Sequence, residues 1–276
     1  MKRLGIITNS ERDSGLVFTH RLVGWLRERG VVLAFPENYC DVTDAGSIDA
    51  AELTGLSALV VLGGDGTILQ AARLAAPHGL PILGINTGTV GYITDVESAD
   101  ALTALEKTLC GDYELEERIM LRTSIDGSGE PPVLALNEVY AARALPSQMV
   151  EVEVHVSGDF IANYRCDGVL VATPTGSTAY NLSAGGPLLK PELGALVITP
   201  ICPHSLSHRP IVISGDDSVT LRLKSEAQSG VLIADGATVA ALNHDDAVNI
   251  SRAEHVTKII KTNLLSFYDR LRLKIR

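Results

Sequence analysis

The stretch Ala58-Leu59-Val60-Val61-Leu62-Gly63-Gly64-Asp65-Gly66-Thr67-Ile68-Leu69-Gln70-Ala71-Ala72-Arg73-Leu74-Ala75-Ala76 decides the fold of this chain. Its first five residues are a continuous apolar run that reads as a buried strand, and residues 68–76 read as a helix. The glycine-rich turn between them offers backbone N–H groups and the positive end of a helix to an anion, most often a phosphate. Gly63, Gly64 and Gly66 permit φ > 0 and a close approach of ligand to backbone. Asp65 is out of place in such a cradle, because a carboxylate repels phosphate unless a metal or a proton to be abstracted compensates. A base for phosphoryl transfer therefore fits better than simple phosphate binding. The competing reading is an ordinary strand–helix turn with Asp65 as a cap, and on these residues alone the two stand level. The turn is neither the P-loop, since no Gly-Lys-Ser/Thr closes it, nor the Gly-x-Gly-x-x-Gly dinucleotide fingerprint.

Around this stretch, strand and helix patterns alternate. Residues 4–8, 31–35, 58–62 and 81–86 read as strands. Residues 16–29 read as a helix with Leu22, Val23 and Leu26 on one stripe and Gly30 at its C-terminal cap. Ser98 is expected to cap another helix, carrying Leu102, Leu105 and Leu109. Apolar strands separated by helices imply a parallel sheet covered on both faces, with ligands beyond the C-terminal ends of the strands, where the glycine turn lies.

Near Gly111 the pattern changes. Val150, Val152, Val154 and Val156 alternate with Glu151, Glu153 and His155, and Val219, Leu221 and Leu223 alternate with Thr220, Arg222 and Lys224, as half-buried antiparallel strands do. Gly127-Ser128-Gly129, Gly158-Asp159 and Gly215-Asp216-Asp217 supply turns. The expected organisation is an α/β N-terminal domain with a parallel sheet (residues 1–112), a β-rich C-terminal domain (113–261), and a tail (262–276) that returns to the first domain.

Composition narrows the function. Of 276 residues, 46% are hydrophobic and 20% charged, enough for a core and too few charges for extensive disorder. A net charge of −10 argues against gripping nucleic acid through its phosphates. No apolar run reaches the length that crosses a membrane, and the N-terminal run is too short for a signal-peptide core. Cys40, Cys110, Cys166 and Cys202 are scattered without a Cys-x-x-Cys pair, which points to a reducing cytoplasm rather than to zinc or disulfides. His204 and His208 lie between Pro203 and Pro210 and read as loop.

Two further segments carry chemistry. In residues 167–187 an apolar strand runs into Thr173-Pro174-Thr175-Gly176-Ser177-Thr178-Ala179-Tyr180-Asn181-Leu182-Ser183, then Gly185-Gly186. This density of hydroxyls and small side chains suits ribose, phosphate or amide groups, and Tyr180 could stack on a base; the plainer reading is a loop with capping hydroxyls. In Leu134-Ala135-Leu136-Asn137-Glu138-Val139-Tyr140, two polar residues interrupt an apolar strand. Neighbours on a strand point to opposite faces, so at least one faces inward and needs partners. A Glu accepting both hydroxyls of a ribose is the functional reading, and a solvated edge strand the alternative.

Together with Gly84-Ile85-Asn86-Thr87-Gly88, Gly91, Asp95 and Thr199-Pro200-Ile201-Cys202-Pro203-His204, these segments resemble the NAD kinases in order and over nearly the whole chain. Gly-Gly-Asp-Gly-Thr alone is shared with diacylglycerol, sphingosine and phosphofructokinase relatives; the run through Thr178-Ala179-Tyr180 is far more specific. The resemblance implies transfer of the γ-phosphoryl group of ATP, or one from polyphosphate, to the 2′-hydroxyl of the adenosine ribose of NAD. It implies Asp65 as proton acceptor, and NAD contacts from Asp65, Gly66, Asn137, Glu138, Arg165, Asp167, Thr178, Ala179, Tyr180, Asn181, Leu182 and Ser183. Gly63, Gly64, Gly66 and Thr67 are expected to hold the donor phosphates. A divalent cation, usually Mg²⁺, with unassigned ligands, and a homodimer or homotetramer are also implied. The departures are Ala172 for a common Ser, Tyr92 for a frequent Phe, and Ala237 in Asp235-Gly236-Ala237 for a frequent Gln; Arg165 resembles the form that prefers NAD over NADH. The alternatives are a lipid or sugar kinase sharing the glycine turn and a non-catalytic NAD(P) sensor.

Overall fold

The computed structural model describes residues 2–35, 37–88, 91–94, 96–205, 207–225, 229–262 and 266–274. Asp95 and the ends of the tail, residues 263–265 and 275–276, lie outside them. The chain forms two compact units: Met1–Arg118 with His255–Arg276, and Ile119–Glu254.

In the first unit the elements run β1 (Arg3–Thr8), α1 (Val17–Glu28), β2 (Val32–Leu33), β3 (Cys40–Asp41), α2 (Ala50–Leu53), β4 (Ala58–Gly63), α3 (Asp65–Ala75), β5 (Pro81–Asn86), β6 (Val96–Glu97) and α4 (Ala101–Cys110). Strand β1 pairs in parallel with β2, β3 and β4, and β5 pairs in parallel with β4 and β6. Strands β4 and β5 are almost wholly buried, which explains their continuous apolar sequence. Leu22, Val23 and Leu26 of α1 and Ala101, Ala104 and Leu105 of α4 join Leu4, Ile6, Val60, Leu62, Leu83 and Ile85 in one core.

Two local expectations fail for backbone reasons. The strand expected over residues 31–35 is confined to Val32–Leu33, because Phe35 takes φ +70°, which no strand tolerates. Ser98 does not cap α4; it begins a 3₁₀ turn of its own, Ser98–Asp100. Gly30, by contrast, ends α1 in the left-handed region, its N–H donating to Arg27 O at 2.9 Å.

Strand β7 (Glu114–Ile125) carries the chain out of the first unit at residue 118, and β18 (Ala247–Lys261) brings it back at 255. Each passage falls inside a continuous strand, so no turn marks it in the sequence at the places expected near 112 and 261. Once back, β18 pairs in parallel with β5, and α6 (Phe267–Lys274) follows.

The second unit contains β8 (Val133–Ala135), β9 (Glu138–Arg143), β10 (Val150–Val156), β11 (Asp159–Cys166), β12 (Gly168–Ala172), α5 (Tyr180–Ser183), β13 (Ala195–Ile201), β14 (Ile211–Ser214), β15 (Val219–Leu223), β16 (Gly230–Ala234) and β17 (Ala237–Leu242). One antiparallel sheet runs β14-β13-β12-β9-β16-β17, and β10 pairs antiparallel with β11 and β15. Val150, Val152 and Val154 turn inward as their alternation predicts, into a core with Val169, Val171, Leu196 and Leu221. Thus an α/β unit with a parallel sheet and an antiparallel β-rich unit make up the chain.

Candidate active site

The glycine turn lies at the C-terminal end of β4, in the first unit. None of its glycines takes a positive φ. Their smallness matters instead for close approach. A Cβ on Gly63 would sit 2.2 Å from Thr67 Oγ1, and one on Gly64 would sit 2.8 Å from Arg12 Nη1, whereas Gly66 faces open space. Thr67 is buried, and its amide donates to Gly64 O at 3.0 Å, so Thr67 shapes the turn from within. The amides of Asp65 and Gly66, first in α3, are the ones that helix geometry leaves over. Arg12 is a residue the sequence reading missed. Its guanidinium lies across Gly64 and also approaches Gly88, where a Cβ would stand 3.2 Å from Nη1.

Asp65 is not the cap of α3; Gly64 holds that position. The Asp65 carboxylate turns instead to the loop after β5. Tyr92 N–H donates to Oδ2 at 2.7 Å, while Ile93 and Thr94 N–H donate to Oδ1 at 3.0 and 3.2 Å, with Thr94 Oγ1 at 3.5 Å. Gly91 makes this grip feasible, since a Cβ there would lie 2.1 Å from Asp65 Oδ1. Helix α6 reaches the same loop, with Lys274 Nζ 4.7 Å from the Tyr92 ring centre. Burial lowers the affinity of the Arg270 guanidinium for its proton, and the Asp65 charge opposes that shift.

In the second unit, Asn137 and Glu138 stand where β9 begins, facing the end of β12. Thr173 N–H donates to Asn137 O at 2.9 Å and Thr173 Oγ1 to Leu136 O at 2.6 Å. Gly176 comes so close that a Cβ would lie 2.1 Å from Asn137 O. Both polar side chains are buried, so the solvated-edge alternative fails. Asn137 Oδ1 and Glu138 Oε2 are nonetheless without hydrogen-bond partners. Buried oxygens of this kind are normally paired, so these two keep acceptor capacity that the protein does not use. Burial, reinforced by the charge of Asp235, pushes the Glu138 carboxyl up to about 8.

Asp235, named from the sequence only within Asp235-Gly236-Ala237 and given no role there, is after Arg12 the second such residue. Its carboxylate accepts from Leu136 N–H at 2.8 Å, Asn137 N–H at 2.7 Å and Glu138 N–H at 3.2 Å, while its own N–H donates to Glu138 O at 2.9 Å. It sits with Gly236 in the two-residue link between β16 and β17, both at positive φ (+46° and +77°), as a type I′ hairpin turn requires.

The remaining expected residues differ in what they leave free. Tyr180 is 38% exposed and meets Tyr140 edge-to-face at 5.2 Å, so part of its ring is open to solvent. Ala179 is half-buried, and Leu182 and Ser183 are exposed beside it. Arg165 is exposed. Asp167 pairs with Arg143 at 3.0 Å, and Thr178 Oγ1 donates to Thr175 O at 3.1 Å. Asn181 is spent inside the fold: Nδ2 donates to Pro187 O at 3.0 Å, and Oδ1 accepts from Thr199 Oγ1 at 2.6 Å. A Cβ on Gly186 would collide with it.

The ATP-NAD kinase N-terminal domain model matches residues 4–113, and the ATP-NAD kinase C-terminal domain model matches residues 136–262. The chain is 39% identical to the NAD kinase of Heliobacterium modesticaldum, covering 100% of this chain and 99% of the relative. The chain belongs to the NAD kinase family. A second relative, the NAD kinase of Syntrophotalea carbinolica, is 37% identical over 100% of this chain and 98% of its own. Among solved structures, an Archaeoglobus fulgidus NAD kinase in complex with ATP matches with TM-score 0.76 at 28% identity, over 99% of this chain and 97% of that one. Yeast NADH kinase complexed with NADH matches with TM-score 0.87 at 20% identity, over 100% and 87%, a likeness of fold. Like its relatives, this NAD kinase family member is a phosphotransferase, and the lipid-kinase and sensor alternatives are not favoured. Among the described residues no helix is long and apolar enough to cross a membrane.

Proposed function

We propose that this chain transfers the γ-phosphoryl group of ATP to the 2′-hydroxyl of the adenosine ribose of NAD, giving NADP. The observation that carries the reading is the pair of buried, partnerless oxygens on Asn137 and Glu138. They suit the hydroxyl and amino donors of the adenosine half of NAD, with the exposed part of the Tyr180 ring as a stacking surface.

The grip on Asp65 suits a base. Oδ1 takes two amides and a hydroxyl, whereas Oδ2 takes only the Tyr92 amide and keeps a lone pair. The ribose hydroxyl donates to Oδ2. As its oxygen bonds to the γ-phosphorus, the bond from that phosphorus to the β,γ-bridging oxygen breaks, ADP leaves, and the proton passes to Asp65. The amides of Asp65 and Gly66, with the Arg12 guanidinium over Gly64, supply positive potential to the donor phosphates.

Among the described residues no three His, Cys, Asp or Glu side chains cluster to hold a metal ion. A Mg²⁺ ion held through the donor phosphates and one or two carboxylates needs no such cluster, and no step here runs through the cation that the family resemblance implies. The four cysteines are free, which supports a cytoplasmic location. Edge strand β11 exposes Phe160 and Ile161 (57% and 39%), which supports self-association.

The test is incubation with NAD, Mg²⁺ and either ATP or polyphosphate, assayed for NADP and repeated with Asp65→Asn. The expected result is NADP formation that collapses in the variant while NAD binding survives. Wild-type protein that binds NAD but forms no NADP with either donor overturns the reading.

A further inference from the structure

Asp235 lies in the second unit, and the reaction assigned above gives it no task. Its two carboxylate oxygens gather three successive amides, those of Leu136, Asn137 and Glu138, and its own amide returns a bond to Glu138 O. This closes a ring around the segment that presents the two unsatisfied oxygens. A segment with a single such contact could rotate about it. Four bonds converging from one residue fix four successive peptide planes, and with them the directions in which the Asn137 and Glu138 side chains leave the backbone. The type I′ turn holds Asp235 in turn, because its positive φ and the following Gly236 are set by a hairpin of exactly two linking residues.

We propose that Asp235 is the positioning residue of the ribose-reading pair Asn137–Glu138, anchoring their backbone through the amides of residues 136–138. The inference rests on the reading that Asn137 and Glu138 bind the adenosine half of NAD. Charge enters through the neighbours of Glu138. Asp235 faces it from the β16–β17 turn, Tyr140 from its own strand, and Tyr180 from α5, where Arg143 and Asp167 also act on the Tyr180 ring. Strand β12 opposes it with the uncharged Ala172. Among these, burial and Asp235 raise the affinity of Glu138 for a proton, and the Tyr180 amide opposes them. Free enzyme at neutral pH therefore holds Glu138 largely protonated. Ribose hydroxyls donating to the carboxylate favour its charged form, so NAD binding tightens as the pH rises toward about 8.

The decisive experiment is Asp235→Asn in the full chain, with NAD affinity measured by calorimetry and steady-state kinetics from pH 6 to 9. Asparagine keeps the shape, sets an N–H₂ against the amides and removes the negative charge. The expected result is an NAD Kd and KM raised at least tenfold, with the loss falling on KM rather than kcat and an unchanged KM for ATP. The pH at which NAD binding tightens should also move down, a change that loss of packing alone does not produce. A folded Asp235→Asn protein with wild-type NAD affinity and an unmoved pH profile overturns the proposal. Asp235→Ser, which keeps one acceptor without opposing a donor to the amides, is the second variant if Asn does not fold. If neither folds, amide hydrogen exchange in wild type decides: protected amides at Leu136, Asn137 and Glu138 support the proposal, and exchange at open-loop rates overturns it. Wild type that makes no NADP would defeat the functional reading instead, so the two failures are distinguishable.

Discussion

The two units each contain an aspartate that collects three consecutive backbone amides: Asp65 from Tyr92, Ile93 and Thr94, and Asp235 from Leu136, Asn137 and Glu138. The bonding is alike and the roles are reversed. In the first unit the loop is the clamp and the aspartate is the proposed base, half-exposed with one lone pair to spare. In the second the aspartate is the clamp, and the clamped segment carries the side chains proposed to meet NAD. The difference shows that a carboxylate held by amides has no fixed role. What decides is which partner keeps spare acceptor capacity once the bonds are counted: the second lone pair of Oδ2 on one side, and Asn137 Oδ1 and Glu138 Oε2 on the other.

The sharpest way to break the comparison is to remove the working carboxylate of the first clamp. Asp65→Asn should lower kcat by about 10²–10⁴-fold, the usual worth of a positioned general base, with NAD binding by calorimetry little changed. Loosening the same clamp without touching the carboxylate comes next. Gly91→Ala places a methyl 2.1 Å from Asp65 Oδ1, and stopped-assay kcat should fall by roughly a hundredfold as the base shifts. The matching change in the second clamp is Gly176→Ala, whose methyl would lie 2.1 Å from Asn137 O. Overpacking there should cost about 1–3 kcal/mol in denaturant unfolding and raise the KM for NAD rather than lower kcat.

Glu138→Gln sharpens the comparison through pH. The Glu138 carboxyl is raised from 4.5 to about 8 on folding, so its contribution to stability is complete below about 4.5 and is lost as the pH rises toward 8. The variant lacks that slope, and its unfolding free energy should overtake that of wild type progressively across this window. Parallel curves would show that Glu138 does not titrate there. The smallest effect is expected from Tyr180→Ala, which removes the exposed stacking ring. At about 0.5–1.5 kcal/mol, the KM for NAD should rise by roughly two- to tenfold.

Much of the architecture was legible because it rests on local periodicity. Pro81–Asn86 and Val150–Val156 occupy the residues that their apolar runs and alternation indicate. The motif residues Asp65, Asn137 and Glu138 also stood out, since polar side chains in apolar surroundings need a reason. Their partners did not. Asp65 is held by residues 27 to 29 positions downstream, and Asp235 reaches back 97 to 99 positions. No local pattern encodes such pairings. Asp235-Gly236 announces a hairpin turn, and its sequence carries nothing of the segment it grips. Asn181 is expected as an NAD contact by resemblance alone, and its side chain is held by Thr199 and Pro187, a pairing that no local pattern encodes either.

The path of β18 has a consequence for the order in which this protein is made. The second unit is contiguous, Ile119–Glu254, and can fold as soon as it has left the ribosome. The first unit is split, and its sheet lacks the strand beside β5 until Lys258 and Ile259 are synthesised. The loop that grips Asp65 gains Lys274 against Tyr92 later still. A nascent chain thus completes the surroundings of Asp65 after the unit carrying Asn137 and Glu138 has been synthesised.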